Sequence, residues 1–343
     1  MKASIVDIAK KAGVSPATVS LVLNNKPNRI SDETKRHVIR IAREANYSPN
    51  QIAVSLVTQR TSTIGLVMPS MENPFFWRIL QGAERFAFAK GVALIVCNGE
   101  ERSEKYFRIL DDLIRRRVDG IIIMPPNDIN EGNNNDDMRK VFDSNTTPML
   151  LVDRAVSNVF CDFIALDNHA AGVLGTEHLL LHGHTRIGLL SGPKNSYSAD
   201  LRLRGFLDTM SKHGIEVSDE QIYYGDYETA SGYAGGRHLL AQGVTSIFAC
   251  NDFMAYGAYQ CAMDMHISVP DRLSLIGIDN ALGDRLPIPI TTIRQPEAEM
   301  GEKACEVLLH RINNRSSNIE YEDILYLPTL ISRATVTTPH KNM

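Results

Sequence analysis

The sequence predicts an α/β protein with a small all-helical N-terminal head and a larger body of parallel sheets in two similar subdomains. Three observations carry this. The first 45 residues hold two short amphipathic segments joined by a glycine turn, then a third. From Thr63 to Ile278 short apolar runs alternate with helical patterns, the grammar of parallel sheets covered on both faces. Finally "TIGLVMPS" at 63 is echoed by "RIGLLSGP" at 186, each opening a fresh series of strand-helix units.

Composition sets the outer bounds. With 343 residues, 43% apolar and 22% charged, the chain is long enough for two or three domains with real cores. No stretch approaches the ~18 uninterrupted apolar residues of a membrane span. Asp7, Lys10 and Lys11 stand where a secretory signal would need its apolar segment, so a cytoplasmic protein with no membrane partner is expected. Five cysteines, odd in number and widely spaced, read as reduced buried thiols. Charge is uneven: residues 1–60 hold ten Lys or Arg against four acids, whereas the whole chain is at −4. A basic head on an acidic body suits a polyanion-binding module, because phosphate neutralisation supplies affinity independent of sequence.

In the head, Ser4 and Asp7 form a capping-box pattern, and Ile5, Ile8, Ala9 and Ala12 keep the spacing of one buried stripe. Gly13 stops that helix. Ser15 and Pro16 start the next, whose apolar face is Val19, Val22 and Leu23. Ser31 opens a third, with Asp32 and Glu33 in its first turn and Val38, Ile41, Ala42 and Ala45 along one side. Helix, glycine turn and helix inside a basic head indicate a helix-turn-helix whose second helix enters the major groove of duplex DNA. The opposite face of that helix, Ala17, Ser20, Leu21 and Asn24, then meets bases and phosphates. Thr18 and Ser20 can donate to phosphate oxygens, Asn24 to backbone or base, and Leu21 offers only apolar contact, for instance to a thymine methyl.

"IVDIAKKAGVSPATVSLVLNN" followed by "ISDETKRHVIRIAREANYSPNQIAVSL" resembles the head of the LacI/GalR family of bacterial repressors, and the similarity continues along nearly the whole chain. The resemblance implies that Pro16 and Ala17 read operator bases. It also implies that Asn50 to Val57 form a hinge that becomes helical on DNA, with Asn50, Ala53 and Leu56 as contacts and Leu56 as a minor-groove wedge. Leu21 and Val54 depart from the pattern, since the family commonly carries arginine at both places.

The loops after the strands, where open parallel sheets bind ligands, read "MENPFFW", "DRAV", "SADLRLRGF", "GDYETA", "NDFMAYG", "IDN" and "RQP". Amide, carboxylate and guanidinium groups alternate there with aromatic rings. That mixture suits a sugar, whose hydroxyls both donate and accept while its C–H face packs on an aromatic ring. By resemblance to the family's effector domain and to periplasmic sugar-binding proteins, the expected contacts are Asn73, Phe75, Phe76, Asp153, Arg154, Arg202, Tyr227, Asn251, Asp279 and Gln295. Phe75, Phe76 and Tyr227 are expected to pack on the ring, and Asp153, Arg154, Arg202 and Asp279 to hold hydroxyls.

Phosphate-binding loops, dinucleotide fingerprints and the GxSxG elbow are missing, so no enzyme activity and no cofactor are expected. His178, His182 and His184 in "HLLLHGH" lack a carboxylate or cysteine to complete a metal set, and no metal is expected either. The expected divisions are a DNA-binding head at 1–47 (helix-turn-helix about 5–24), a hinge at 48–61 and an effector-binding, dimerising body at 62–343. Within the body the first subdomain is placed at about 62–160 and 292–322, the second at about 161–291 and 323–336. The expected function is that of a homodimeric repressor of a carbohydrate-utilisation operon, bound to a palindromic operator and modulated by a monosaccharide. Two alternatives stand beside it: the same DNA role with a purine nucleobase as corepressor, and a sugar receptor or enzyme without a DNA role.

Overall fold

The computed structural model describes residues 3–23, 29–47, 60–194, 196–282, 287–314 and 320–339. They fall into two compact units, divided between Thr61 and Ser62.

In the first unit polar caps set the helix limits. Ser4 and Asp7 make a reciprocal capping box at the start of α1 (Ile5–Ala12), and Gly13 ends it in the left-handed region at φ 65°. Ser15 Oγ accepts from the Thr18 amide at 3.1 Å at the head of α2 (Pro16–Leu23), and Ser31 Oγ accepts from Thr34 N in α3 (Asp32–Glu44). Ile8, Ala9, Ala12, Val19, Val22, Val38, Ile41 and Ala42 close one small core. Leu23 and Ala45, expected on the same stripes, pack at its edge.

The second unit is built on two six-stranded sheets. The first series runs β1 (Thr63–Met68), α4 (Pro74–Ala89), β2 (Ala93–Asn98), α5 (Ser103–Arg115), β3 (Gly120–Ile123), α6 (Asn134–Asp143), β4 (Met149–Val152) and β5 (Phe163–Leu166). After α7 (Asn168–Leu181) the second series runs β6 (Ile187–Ser191), α8 (Tyr197–Lys212), β7 (Ile222–Tyr224), α9 (Thr229–Ala241), β8 (Ser246–Ala249), α10 (Asp252–Asp264), β9 (Ser274–Ile278) and β10 (Thr291–Arg294). Then α11 (Glu297–Asn313), β11 (Asp323–Tyr326) and β12 (Thr329–Ile331) complete the body. The sheet orders are β11-β5-β4-β3-β1-β2 and β12-β10-β9-β8-β6-β7, parallel except for the β10–β12 pair. With β11 and β12 set aside, the other five strands follow the same order in both sheets, so the echo at 63 and 186 marks a repeated architecture. Central strands such as β3, all of whose residues are buried, are apolar throughout because helices cover both faces.

The expected subdomain borders need correction. β5 and β11 lie in the first sheet and β10 in the second, whereas borders at 160, 291 and 322 put all three on the wrong side. Strand pairing decides membership. Leu151 pairs with Phe163 and Phe163 with Asp323. Arg311 on α11 clamps the start of both strands, donating to both oxygens of Asp162 at 2.6 and 2.7 Å while Glu322 N donates to the same carboxylate at 3.1 Å.

The chain therefore crosses between sheets three times, from β5 into α7, from β10 into α11, and from β11 into β12. Tyr326 holds the crossings together. Its carbonyl accepts from Asp167 N at 2.8 Å, and its hydroxyl donates to the Glu299 carbonyl at 3.5 Å. The α4–α11 pair meets backbone to backbone. A β-carbon added at Gly82 would stand 1.9 Å from the Ala298 carbonyl oxygen, and one at Gly301 1.9 Å from that of Ile79.

Candidate functional site

Two surfaces carry the expected chemistry, one on each unit. On the head, burial of Val19 and Val22 turns the other side of α2 outward: Pro16 and Ala17 are exposed, Thr18, Ser20 and Leu21 half-buried. The Thr18 hydroxyl hydrogen-bonds Ser15 Oγ at 2.9 Å, so it is shared with the helix cap. Asn24, Asn50, Ala53 and Leu56 lie outside the described residues.

In the body all ten residues expected at the effector site line one crevice between the two sheets' lobes. They arrive from the carboxyl ends of the strands, as the fold requires. The loop after β1 brings Asn73 and the first turn of α4 brings Phe75 and Phe76, while the loop after β4 brings Asp153 and Arg154. From the second lobe come Arg202 on α8, Tyr227 after β7, Asn251 after β8 and Asp279 after β9, while Gln295 sits on the second crossing. Ser198 also lines the crevice. The stretch SADLRLRGF, expected as a loop, lies within α8, so Ser198 stands one helical turn before Arg202, and that i, i+4 spacing is the signal that could have found it.

Each polar group is anchored from behind. Asn73 Oδ1 accepts from Phe75 N at 2.9 Å and Asn251 Oδ1 from Met254 N at 2.9 Å, so both carboxamides cap the helices they precede. Asn251 Nδ2 donates to the Tyr227 carbonyl at 2.8 Å. Arg202 donates from Nε to Asn168 Oδ1 at 2.8 Å and from Nη1 to the Cys250 carbonyl at 2.6 Å. Arg154 Nη1 donates to Glu101 at 3.0 and 3.2 Å and to the Pro125 carbonyl at 2.9 Å. Asn168 and Glu101 have no spacing relation to the arginines they hold, and sequence reasoning missed both.

The rings are fixed too. Phe75 and Phe76 meet edge to face with centroids 5.1 Å apart, and the Arg154 guanidinium stands 5.6 Å over Phe76. Tyr227 lies against Gly192, where a β-carbon would come within 2.3 Å of its ring. Asp153, Tyr227 and Asp279 have φ of 72°, 70° and 104°. Backbone strain of this kind, about 1–3 kcal/mol per residue, persists where the surroundings over-determine it and is typical of ligand clamps.

Burial drives the electrostatics. It pushes the Asp279 carboxyl well above the usual carboxylate range and raises Asp153 and the Tyr227 phenol as well. For Arg154, burial favours loss of the charge, but Glu101 and then Asp153 outweigh it and hold the guanidinium protonated. Two buried atoms of the lining have no hydrogen-bond partner: Arg154 Nε, which stands 3.5 Å from Asp153 Oδ2 but is poorly aligned, and Gln295 Oε1. One is a donor and the other an acceptor. An unsatisfied buried polar atom costs about 1–3 kcal/mol, which a ligand hydroxyl could recover.

Other chemistry is thinly represented. Burial pushes the Cys161 and Cys305 thiols up to about 12, leaving them protonated and inert. Among the described residues no three His, Cys, Asp or Glu side chains converge as a metal set, and no helix is long and apolar enough to cross a membrane.

Known proteins fit this division. Residues 4–50 match the bacterial regulatory proteins of the lacI family, and residues 176–336 match the periplasmic binding protein-like domain. The HTH-type transcriptional repressor PurR of Pasteurella multocida is 34% identical over 97% of this chain and 98% of its own length. The chain belongs to the LacI family. The ribose operon repressor of Escherichia coli, 33% identical over 97% of this chain and 99% of its own, is a similar relative. Among solved structures, the lac repressor dimer bound to operator and an anti-inducer matches with a TM-score of 0.86 at 27% identity, covering 98% of this chain and all of that one. A LacI family regulator from Enterococcus faecium with bound ribose matches at 0.70 and 28%, covering 80% of this chain and 99% of that one. As a member of the LacI family the chain is a DNA-binding transcriptional repressor and not an enzyme.

Proposed function

We propose that the protein is a homodimeric repressor whose two heads, residues 1–47, occupy the half-sites of a palindromic operator through the outward face of α2, with residues 48–61 as hinge. Its effector is a monosaccharide held in the crevice by Asn73, Asp153, Arg154, Arg202, Asn251, Asp279 and Gln295 and packed by Phe75, Phe76 and Tyr227. A carbohydrate-utilisation operon is the matching target. The carrying observation is the crevice itself: anchored donors and acceptors surround aromatic rings, and two of the lining residues, Arg154 and Gln295, each keep a buried polar atom without a partner. A sugar with four or five hydroxyls meets such a set around its rim and offers a C–H face to the rings.

The free volume of the crevice is about 30 Å³, room for one or two waters, so a ring-sized ligand enters as the lobes part. Ligand can then shift operator affinity to the extent that it binds one lobe arrangement better than another. A purine corepressor is the second reading, because the relatives named PurR are as similar as the ribose operon repressor.

A thermal-shift panel of pentoses, hexoses, guanine and hypoxanthine tests the assignment, since a ligand that binds only the native state raises its apparent stability. The active compound is then added to the full-length protein on operator DNA. An aldose that shifts melting and changes operator affinity, with both effects lost in Phe75→Ala, is the expected result. A response to hypoxanthine and to no aldose would establish the purine reading instead.

A further inference from the structure

Glu101 holds a position that the effector reading leaves without a purpose. It follows β2 in a loop where Glu100 and Glu101 have φ of 55° and 51°, a left-handed pair normally left to glycine or asparagine. Backbone bonds fix that turn. Gly99 N donates to the Met68 carbonyl at 2.8 Å and Glu101 N to the Pro69 carbonyl at 3.1 Å. The strained turn delivers one carboxylate to Nη1 of Arg154, whereas Asp153 lies by Nε, and the Glu101 carboxylate also accepts from Asn127 N at 2.8 Å. Arg154 thus stands between two acids, Glu101 at 3.0 Å and Asp153 at 3.5 Å.

Two further arginines are held by neighbouring groups, Arg78 by a carboxylate and Arg202 by neutral acceptors. Arg202 is engaged by Asn168 and the Cys250 carbonyl, with the Asp279 carboxyl among its electrostatic neighbours. Arg78, one turn beyond Phe75 on α4, is paired with Glu297 at 3.3 Å. Glu72 precedes Asn73 and Glu228 follows Tyr227, so an exposed acidic residue adjoins a lining residue on each lobe. Burial first, then Asp226 and Glu72, raise the Glu228 carboxyl. The helix N-termini that could take a phosphate at Pro74 and Asp252 are filled by the carboxamide oxygens of Asn73 and Asn251, and that of α8 carries Asp200 in its first turn.

We infer that Glu101 sets the charge class of the effector: by neutralising Arg154 it makes the crevice accept an uncharged sugar and reject the phosphate ester of the same sugar. This rests on the sugar reading above. Glu101 is a positioning residue, acting through Arg154. Its substitution therefore changes the ratio of two affinities, whereas loss of a merely structural contact lowers both alike.

The full-length protein is titrated by calorimetry with ribose and glucose and with ribose 5-phosphate and glucose 6-phosphate, hypoxanthine serving as control for the sugar reading. The wild type should bind one of the free aldoses about 100-fold or more tighter than its ester, as like-charge burial requires. Glu101→Gln should narrow that ratio at least about tenfold, mainly by strengthening the ester, while Glu101→Asp should keep most of it. The inference is overturned if the wild type takes ester and free sugar within about tenfold of each other, or if Glu101→Gln weakens both in proportion. The wild-type ratio decides even if a variant does not fold. Binding of hypoxanthine with no aldose or ester bound would remove the sugar reading and this inference together.

Discussion

Gln295 donates its Nε2 hydrogen to Oδ1 of Asp279 across 2.5 Å, tying the second crossing between the sheets to the carboxyl end of β9. The same carboxamide, on a residue that lines the crevice, leaves its buried Oε1 unpaired. One side chain thereby orients an acid and offers an acceptor of its own.

Gln295→Leu removes both groups at nearly constant volume. Affinity for the aldose that binds the wild type should fall by about 10- to 100-fold, and stability by about 1–3 kcal/mol because Asp279 loses its donor. Calorimetric titration and urea unfolding of the same preparation separate the two effects. Unchanged affinity would remove Gln295 from the site.

Asp252, at the start of α10, is buried, and its carboxyl is raised to about 6 although it accepts from Thr292 Oγ1 at 2.6 Å and Ala281 N at 2.8 Å. Burial dominates those bonds. Because the folded value lies above the unfolded one of 3.8, the native state holds the proton longer and stability falls as pH rises. Relative to Asp252→Asn, the wild type should lose on the order of 3 kcal/mol between about pH 4 and 6, then change little to pH 8. Urea unfolding of both proteins at three pH values gives that difference. A relative gain in stability over this window would reverse the account.

Gly82 and Gly301 let α4 and α11 touch along their backbones. A methyl at either position meets a carbonyl oxygen, which cannot rotate away as a side-chain end would. Gly82→Ala and Gly301→Ala should each cost about 1–3 kcal/mol or more and lower the melting point of the body by several degrees. Differential scanning calorimetry checks this.

Leu21 stands half-buried on the outward side of α2, without the arginine common in the family. If that side lies along duplex DNA, Leu21→Arg adds a phosphate contact. The slope of log affinity against log salt should then steepen by about 0.9 on random duplex DNA. Fluorescence anisotropy at four salt concentrations measures it, and an unchanged slope would move the DNA face elsewhere.

How far the sequence was legible depended on how local each cause is. Ser4, Gly13, Ser15 and Ser31 act within one turn, so the three helices of the head could be placed by residue. The crevice residues follow strand ends, and alternation of strands and helices located those ends. Glu101 and Asn168 could not be found this way, because their partners are 53 and 34 residues distant and only the folded chain joins them. The left-handed backbone at Asp153, Tyr227 and Asp279 is also imposed by tertiary packing, against the residues' own preference. The subdomain borders were displaced for a related reason, since β5, β10 and β11 read alike as strands and pairing alone assigns them to a sheet.

The three crossings gathered at Tyr326 give the body a shared fulcrum. If a guest draws the lobes together as proposed, these connections are where the backbone has to turn. The side chains that would touch the guest sit on the loops and helix starts beyond the strands, apart from the connections that join the two sheets.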